Sequence, residues 1–192
     1  MDRLKRQENL RALAETAMMV AVAFILSFIT LFKLPNGGSV TPLSMLPIIV
    51  IGLRRGVKWG IGGGIIYACL QMLQSFYPPP TATAMGYAAV VFLDYIFAFG
   101  LLGVSGLFKG KRYGILFAAP LCVFLRFLCH FASGIVIWHP YAPEGARVWL
   151  YSLTYNGSYM GVELAMTVIA GFLLAKMTPF LLLPGQAKAE FK

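Results

Sequence analysis

Charged residues are scarce in this chain of 192 residues: they make up 12% of it, whereas hydrophobic residues make up 59%. Soluble domains carry about 25% charged residues. The composition therefore excludes an ordinary soluble domain and indicates an integral membrane protein. The net charge of +9 would suit nucleic acid, but that partner requires a basic patch. Here the basic residues are dispersed in short gaps between apolar runs, so we expect no nucleic-acid partner.

Residues that commonly support enzyme chemistry are also few. The three cysteines, Cys69, Cys122 and Cys129, lie in apolar segments without a Cys-x-x-Cys pair, which argues against a disulfide framework or a zinc site. There are only two histidines, with no HExxH sequence. We expect neither an enzyme nor a metal site. The glycine-rich segment 60–64 does not match a G-x-x-x-x-G-K-[ST] phosphate loop. We therefore expect no bound cofactor and no ATP hydrolysis by this chain.

Long apolar runs dominate the remaining sequence and predict an all-α integral membrane protein with six transmembrane helices. The second run is short for a crossing of about 20 residues, so we expect a neighbouring loop to dip into the protein. The predicted organisation is a tail at 1–11, a membrane domain at 12–178 and a second tail at 179–192. The predicted spans cover residues 12–31, 43–53, 59–75, 87–108, 115–138 and 155–176.

The basic residues predict the orientation of these spans. Most of the 16 Lys and Arg residues fall in the two tails, the second-to-third loop and the fourth-to-fifth loop. The other side has Lys33 and Arg147, and Arg126 falls within a span. Cytoplasmic loops carry the excess of Lys and Arg. We therefore predict a multi-pass protein of the cell membrane with both termini and both tails in the cytoplasm.

One carboxylate lies in the middle of the fourth apolar span, in the segment Phe92-Leu93-Asp94-Tyr95-Ile96. A carboxylate at bilayer depth costs roughly 2.5–3.5 kcal/mol on insertion scales, and it usually faces a partner or a water-filled cavity. The partner of Asp94 is either a bound cation or Arg126 on the neighbouring span, which would make a structural ion pair.

Two further clusters accompany this acid. His130, Gly134 and Trp138 follow one another at four-residue intervals on the fifth span, which predicts one helix face. Tyr151 and Asn156 lie at the start of the sixth. Histidine and tryptophan offer flat faces, and tryptophan favours cations. A glycine between them leaves room for a ring, and Asn supplies a donor and an acceptor. With the acid, the set fits a flat, positively charged heteroaromatic ligand.

Structural explanations exist for most of these residues when each is taken alone. His130 also fits a hydrogen-bonded core histidine, and Trp138 and Tyr151 fit the aromatic belt at span ends. Glu15 and Glu163 are interpreted as groups near the interface or in helix packing.

The order and spacing of the motifs resemble the substrate-binding S-components of energy-coupling factor transporters, specifically the thiamine-specific ones, over residues 12–176. The resemblance implies a six-helix fold in a bacterial plasma membrane and a high-affinity thiamine site near the outer face, with residues 34–41 as a lid. It also implies a complex with a membrane coupling protein and two cytoplasmic ATPases, which alone use ATP. The matching motifs are Glu15-Thr16-Ala17 through Ala21, Leu53-Arg54-Arg55-Gly56, Phe92-Leu93-Asp94-Tyr95, His130-Phe131 through Gly134 and Trp138, and Tyr151-Ser152-Leu153 through Asn156-Gly157.

Residue roles follow from the resemblance. The small-residue stripe that contacts the coupling protein in the family matches Ala17 and Ala21. The residues that contact the ligand in the family match Asp94, Tyr95, His130, Gly134, Trp138, Tyr151 and Asn156.

The chain departs from the family pattern at three positions. The family has Glu where this chain has Asp94, which is one methylene shorter. A tryptophan of the first loop falls near Gly38, and a tyrosine before the fourth span falls near Ala84. Tyr77 and Tyr87 are the two candidates to replace that tyrosine.

Three other functions remain open. The first is an S-component for another flat vitamin or precursor, such as a hydroxymethylpyrimidine, which would not need an ionised Asp94. The second is an intramembrane enzyme acting on a lipid or isoprenoid, with Asp94 and His130 as its catalytic pair. The third is a structural subunit without a ligand.

Overall fold

Six helices form the computed structural model, which describes residues 2–111, 113–179 and 182. The predicted six-helix membrane fold is confirmed. A pair of two-residue antiparallel strands, β1 (Phe32–Lys33) and β2 (Ser39–Val40), lies between the first two helices. The helices are α1 (Asp2–Ser27), α2 (Leu46–Arg55), α3 (Val57–Ser75), α4 (Ala84–Phe108), α5 (Ile115–Val136) and α6 (Val148–Met177).

Four of the described helices, α1, α4, α5 and α6, are long and apolar enough to cross a membrane. Helix α2 has 10 residues and is therefore about 15 Å long, half the thickness of a bilayer core. Its residues 46–53 are all buried because it packs among α1, α3 and α4. The loop ahead of α2 folds against the bundle, with Val40 and Met45 fully buried.

Several helix ends differ from the predicted spans. Helix α1 already begins at Asp2 because residues 2–11 are mostly good helix formers. Helix α5 ends at Val136, and α6 begins at Val148. The boundaries of the predicted tails stay predictions. The C-terminal tail, 179–192, lies outside the described residues except for Pro179 and Leu182.

Glycines bring α3 and α4 into close contact. A Cβ on Gly64 would overlap the carbonyl oxygen of Phe99, and a Cβ on Gly103 would overlap the backbone of Ile61. Small residues at such crossings allow membrane helices to approach closely. The turn from α2 to α3 also requires glycine, since Gly56 has a φ of 92°, which side chains rarely adopt.

The basic turns share one end of the bundle. Glu15 of α1 accepts a hydrogen bond from Arg54 Nε at 3.1 Å and pairs with the Arg55 guanidinium. The Lys109 side chain, after α4, lies against Gly56. By the positive-inside rule this is the cytoplasmic end. The loops 28–45, 76–83 and 137–147 lie at the opposite end.

Candidate functional site

A cavity lies between α4, α5 and α6 at the end opposite the basic turns, and the β1–β2 loop covers it. Its volume is about 190 Å³, against about 10–15 Å³ for a single water on the same measure. It is therefore a ligand-sized space. All seven residues predicted to bind the ligand line it: Asp94, Tyr95, His130, Gly134, Trp138, Tyr151 and Asn156.

Asp94 lies in a π-helical segment of α4, Val91–Phe97. Such segments are rare, occur often at functional sites and change the direction of the side chains that follow. Three donors surround the carboxylate. His130 Nδ1 is 3.0 Å from Oδ1, and Oδ2 accepts hydrogen bonds from Ser133 Oγ at 2.7 Å and Trp138 Nε1 at 3.0 Å. Asp94 thus gathers His130 and Trp138 of the predicted α5 cluster around one charge, together with Ser133, which was not predicted.

Trp138 reaches Asp94 by a different route from the one predicted. Helix α5 ends at Val136, so Trp138 does not continue the helical face of His130 and Gly134. Instead, the backbone N–H groups of Ile137 and Trp138 both donate to Ser133 O, at 2.7 and 3.2 Å, and this turn directs the indole back toward α4.

The two ring nitrogens of His130 have different surroundings. With Nδ1 held against Asp94, the buried Nε2 has no hydrogen-bond partner among the described residues. When Nδ1 carries the proton, Nε2 is an acceptor that no group among the described residues satisfies.

Arg126 does not pair with Asp94. Its Nη1 donates to Glu163 Oε2 at 3.1 Å, and its guanidinium lies 4.6 Å from the centre of the Phe99 ring. Arg126 lines the cavity one helical turn deeper than His130. Glu163 was interpreted as a group near the interface or in helix packing. The structure shows instead that it belongs to a buried ion pair.

Gly134 and Asn156 lie where α5 contacts α6, and both make contacts within the protein. A Cβ on Gly134 would overlap Ser152 Oγ, so this glycine makes room for α6 rather than for a ligand ring alone. The Asn156 amide donates to Ser152 O at 3.0 Å and to His130 O at 3.3 Å, and its oxygen accepts from Tyr159 at 3.0 Å. Asn156 thus fixes the backbone that carries His130.

Tyr95 and Tyr77 shape the wall nearest the α3–α4 loop. The Tyr95 hydroxyl donates to Ser75 O at 2.9 Å and accepts from the Tyr77 N–H at 3.2 Å. The Tyr77 ring packs over Gly37, and its centre is 5.5 Å from that of Trp138. Tyr87 instead stacks on Phe76. Of the two candidate replacements, Tyr77 is the one that lines the cavity.

The loop over the cavity is bonded to α6. The Tyr155 hydroxyl donates to Pro35 O and accepts from Gly38 N–H at 2.9 Å. Further along, Thr41 donates to Glu163 Oε1 through its N–H at 3.0 Å and its hydroxyl at 3.1 Å. Neither Tyr155 nor Glu163 was predicted to belong to the site. The signal for Glu163 is a buried polar stripe on α6 at intervals of three and four residues, formed by Ser152, Asn156, Tyr159, Glu163 and Thr167.

The two predicted coupling-protein contacts lie elsewhere. Ala17 and Ala21 are exposed on α1, on the side away from the face formed by Thr16, Val20 and Ala23, which is buried against the bundle. Within the described ranges, no three His, Cys, Asp or Glu residues are grouped to hold a metal ion.

The six helices and the loop-covered cavity define a multi-pass membrane protein built to enclose a small ligand. The family model described as "Thiamine transporter protein (Thia_YuaJ)" matches residues 13–183. The chain belongs to this family, and it is accordingly a protein of the bacterial cell membrane. The resemblance inferred from the motifs is confirmed.

Individual relatives agree with this assignment. The chain is 34% identical to "Thiamine transporter ThiT" of Bacillus subtilis (strain 168), over 93% of this chain and 97% of the relative. It is 28% identical to the protein of the same description from Lacticaseibacillus paracasei, over 97% of each. A solved structure of ThiT from Listeria monocytogenes superposes with a TM-score of 0.77 at 26% identity, covering 92% of this chain and all of that one.

Proposed function

We propose that this chain is the thiamine-binding S-component of an ATP-driven importer of the energy-coupling factor type. Thiamine combines a permanently charged thiazolium ring with an aminopyrimidine. The observation that supports this ligand most directly is the Asp94 carboxylate, held by three donors at the wall of the cavity.

The charges around the cavity favour a cation. The charged or titratable acids and bases that line it are Asp94, Arg126 and His130, apart from tyrosines. Arg126 is balanced by Glu163 through a 3.1 Å ion pair. With Arg126 paired to Glu163, the Asp94 carboxylate is left for a cationic ring to offset at low dielectric.

Aromatic side chains supply the flat surfaces that such a ligand needs. The Trp138 ring has two aromatic neighbours, Tyr77 at 5.5 Å and tilted by 54°, and Tyr141 at 5.9 Å and nearly parallel. Tyr151 and Tyr155 form a second pair at 5.7 Å. Tryptophan and tyrosine faces attract cations, so these walls suit the thiazolium ring.

Each predicted site residue receives a role in this proposal. Asp94 supplies the charge, and His130 holds that carboxylate in place through Nδ1. Trp138 and Tyr151 cover ring faces. Tyr95, Gly134 and Asn156 hold the walls in place through the contacts described above.

The proposal extends to partners. The exposed face with Ala17 and Ala21 would contact a membrane coupling protein, and two ATPases would supply the energy. This chain would need no cofactor and would catalyse no reaction itself. The loop 34–41 would act as the lid over bound thiamine.

The test is a titration of the purified protein with thiamine, followed by tryptophan fluorescence, because Trp138 lines the cavity. We expect saturable quenching at micromolar thiamine or below. A competition with neutral hydroxymethylpyrimidine separates the two candidate ligands: we expect thiamine to bind more tightly because only thiamine carries the positive charge. Absence of quenching by thiamine, or tighter binding of the neutral pyrimidine, would overturn the assignment.

A further inference from the structure

Glu163 is a buried carboxylate that has no role in the proposed ligand site. Its side chain is 1% exposed, and that of Arg126 is 10% exposed. Desolvation makes a buried ion pair weak evidence for stability by itself, and a role in fixing one arrangement of the chain is the better-attested use of such pairs. The contacts of the second carboxylate oxygen show which arrangement Glu163 fixes.

That second oxygen is bonded to the loop rather than to a helix. Oε1 accepts both the N–H and the hydroxyl of Thr41, at 3.0 and 3.1 Å, while Oε2 accepts from Arg126. Thr41 directly follows β2. The hydroxyl of Thr41 is also 2.9 Å from that of Ser44. One carboxylate therefore joins the end of the loop to α5 through Arg126.

The loop has a second attachment to α6 at Tyr155, which is eight residues before Glu163 and on the same helix face. The Tyr155 attachment holds the tip of the loop at Pro35 and Gly38. The two attachments differ in chemistry, because Tyr155 offers a neutral hydroxyl and Glu163 offers a charge. Hydrogen bonds to charged groups are the stronger ones.

From these contacts we propose that Glu163 is a positioning residue that anchors the loop 34–41 over the cavity. Because Arg126 lines the cavity and also bonds Glu163, the occupant of the cavity and the loop share one buried ion pair. Loss of the anchor lets the loop open more often, so a bound ligand leaves faster. The consequence for release rests on the proposed function, whereas the anchor itself does not.

The anchor is tested first without ligand, by hydrogen exchange of the loop amides. In Glu163→Gln the size is kept and the charge is lost, and we expect the Thr41 amide to exchange at least about tenfold faster. Tyr155→Phe should accelerate the Gly38 amide instead. Thr167→Val is the matched control, since Thr167 is buried on the same helix face and its hydroxyl donates only to the backbone oxygen of Glu163.

Ligand release is then measured by stopped-flow fluorescence with thiamine. We expect the dissociation rate of Glu163→Gln to rise at least about tenfold, with an association rate equal to or above that of the parent. A damaged pocket would instead lower the association rate. If Glu163→Gln does not fold, Arg126→Leu with Glu163→Leu removes both charges together, a change that buried pairs often tolerate, and the Thr41 amide should still exchange faster.

The outcomes separate the two proposals. If the parent fails to bind thiamine, the proposed function is refuted, and the exchange data still decide the anchor. If the Thr41 amide exchanges at the parental rate in Glu163→Gln, the anchor is refuted whatever the ligand. Faster exchange with parental release would refute the retention of ligand by this attachment.

Discussion

The indole nitrogen of Trp138 donates a hydrogen bond to Asp94 Oδ2 across 3.0 Å, which joins the turn after α5 to the π segment of α4. The same oxygen accepts from Ser133, and Oδ1 faces His130. The short side chain of an aspartate therefore organises the aromatic and imidazole groups of the site as well as supplying its charge.

Asp94→Asn is expected to weaken thiamine binding by about tenfold to a hundredfold, the range for hydrogen bonds to a charged group. The amide keeps the size of the side chain but loses its charge. Its NH₂ group would also face a hydrogen-bond donor, because both carboxylate oxygens of Asp94 face donors in the parent. Titration calorimetry measures the effect. Asp94→Glu restores the charge and should bind more tightly than Asp94→Asn. Parental affinity in Asp94→Asn would refute the charge-matching role.

Tyr77→Ala is expected to weaken binding by about threefold to tenfold, because an aromatic pair contributes roughly 0.5–1.5 kcal/mol beyond its buried area. Tyr77 packs between Gly37 and Trp138 at the mouth of the cavity. Tyr87→Ala is the matched control, since Tyr87 stacks on Phe76 away from the cavity lining. A larger loss in Tyr87→Ala than in Tyr77→Ala, in the same titration, would reverse the assignment.

The sequence predicts much of this site because its residues fall in a few short motifs. Asp94, His130 and Asn156 are polar groups inside apolar runs, where lipid leaves few alternatives to an inward orientation. The same reasoning applies to Glu163, whose spacing from Asn156 and Tyr159 continues one helix face. That acid can thus be found from helical periodicity.

Other features are not readable from one sequence. The π segment around Asp94 depends on how α4 packs on α3 and α5, since no residue type encodes it. The position of Trp138 depends on where α5 ends, and the nearest helix breakers, Gly134 within the last turn and Pro140 beyond the cap, do not mark Val136 as the last helical residue. The choice between Tyr77 and Tyr87 depends on the fold of the proline-rich loop between α3 and α4.

Gly134→Ala is expected to lower the stability of the protein by about 1–3 kcal/mol, the usual cost of overpacking. The new methyl group would overlap the Ser152 side chain on α6. Gly157→Ala is the control on α6, because nothing lies within 4 Å of its added Cβ. Thermal unfolding in detergent measures both.

A double-mutant cycle identifies the cause of that loss. Ser152→Gly removes the atoms that the Gly134→Ala methyl would meet, so the double variant should be more stable than the two single losses predict. Strict additivity would show that Gly134 has a reason other than contact with Ser152.

Ala17→Trp with Ala21→Trp is expected to abolish assembly with the coupling protein while thiamine binding stays at the parental level. Both alanines are exposed on α1, on the face away from the cavity, and two indoles there would prevent the close helix approach that small residues allow. Co-purification with the coupling protein and its ATPases measures assembly, and fluorescence titration measures binding in the same preparation.

Ala165→Trp with Ile169→Trp places two indoles four residues apart on the exposed face of α6 and should leave assembly intact. Because a general loss of membrane folding would reduce both readouts in both variants, only a selective loss of assembly in the α1 variant supports this face, and an intact complex would show that the coupling protein docks elsewhere.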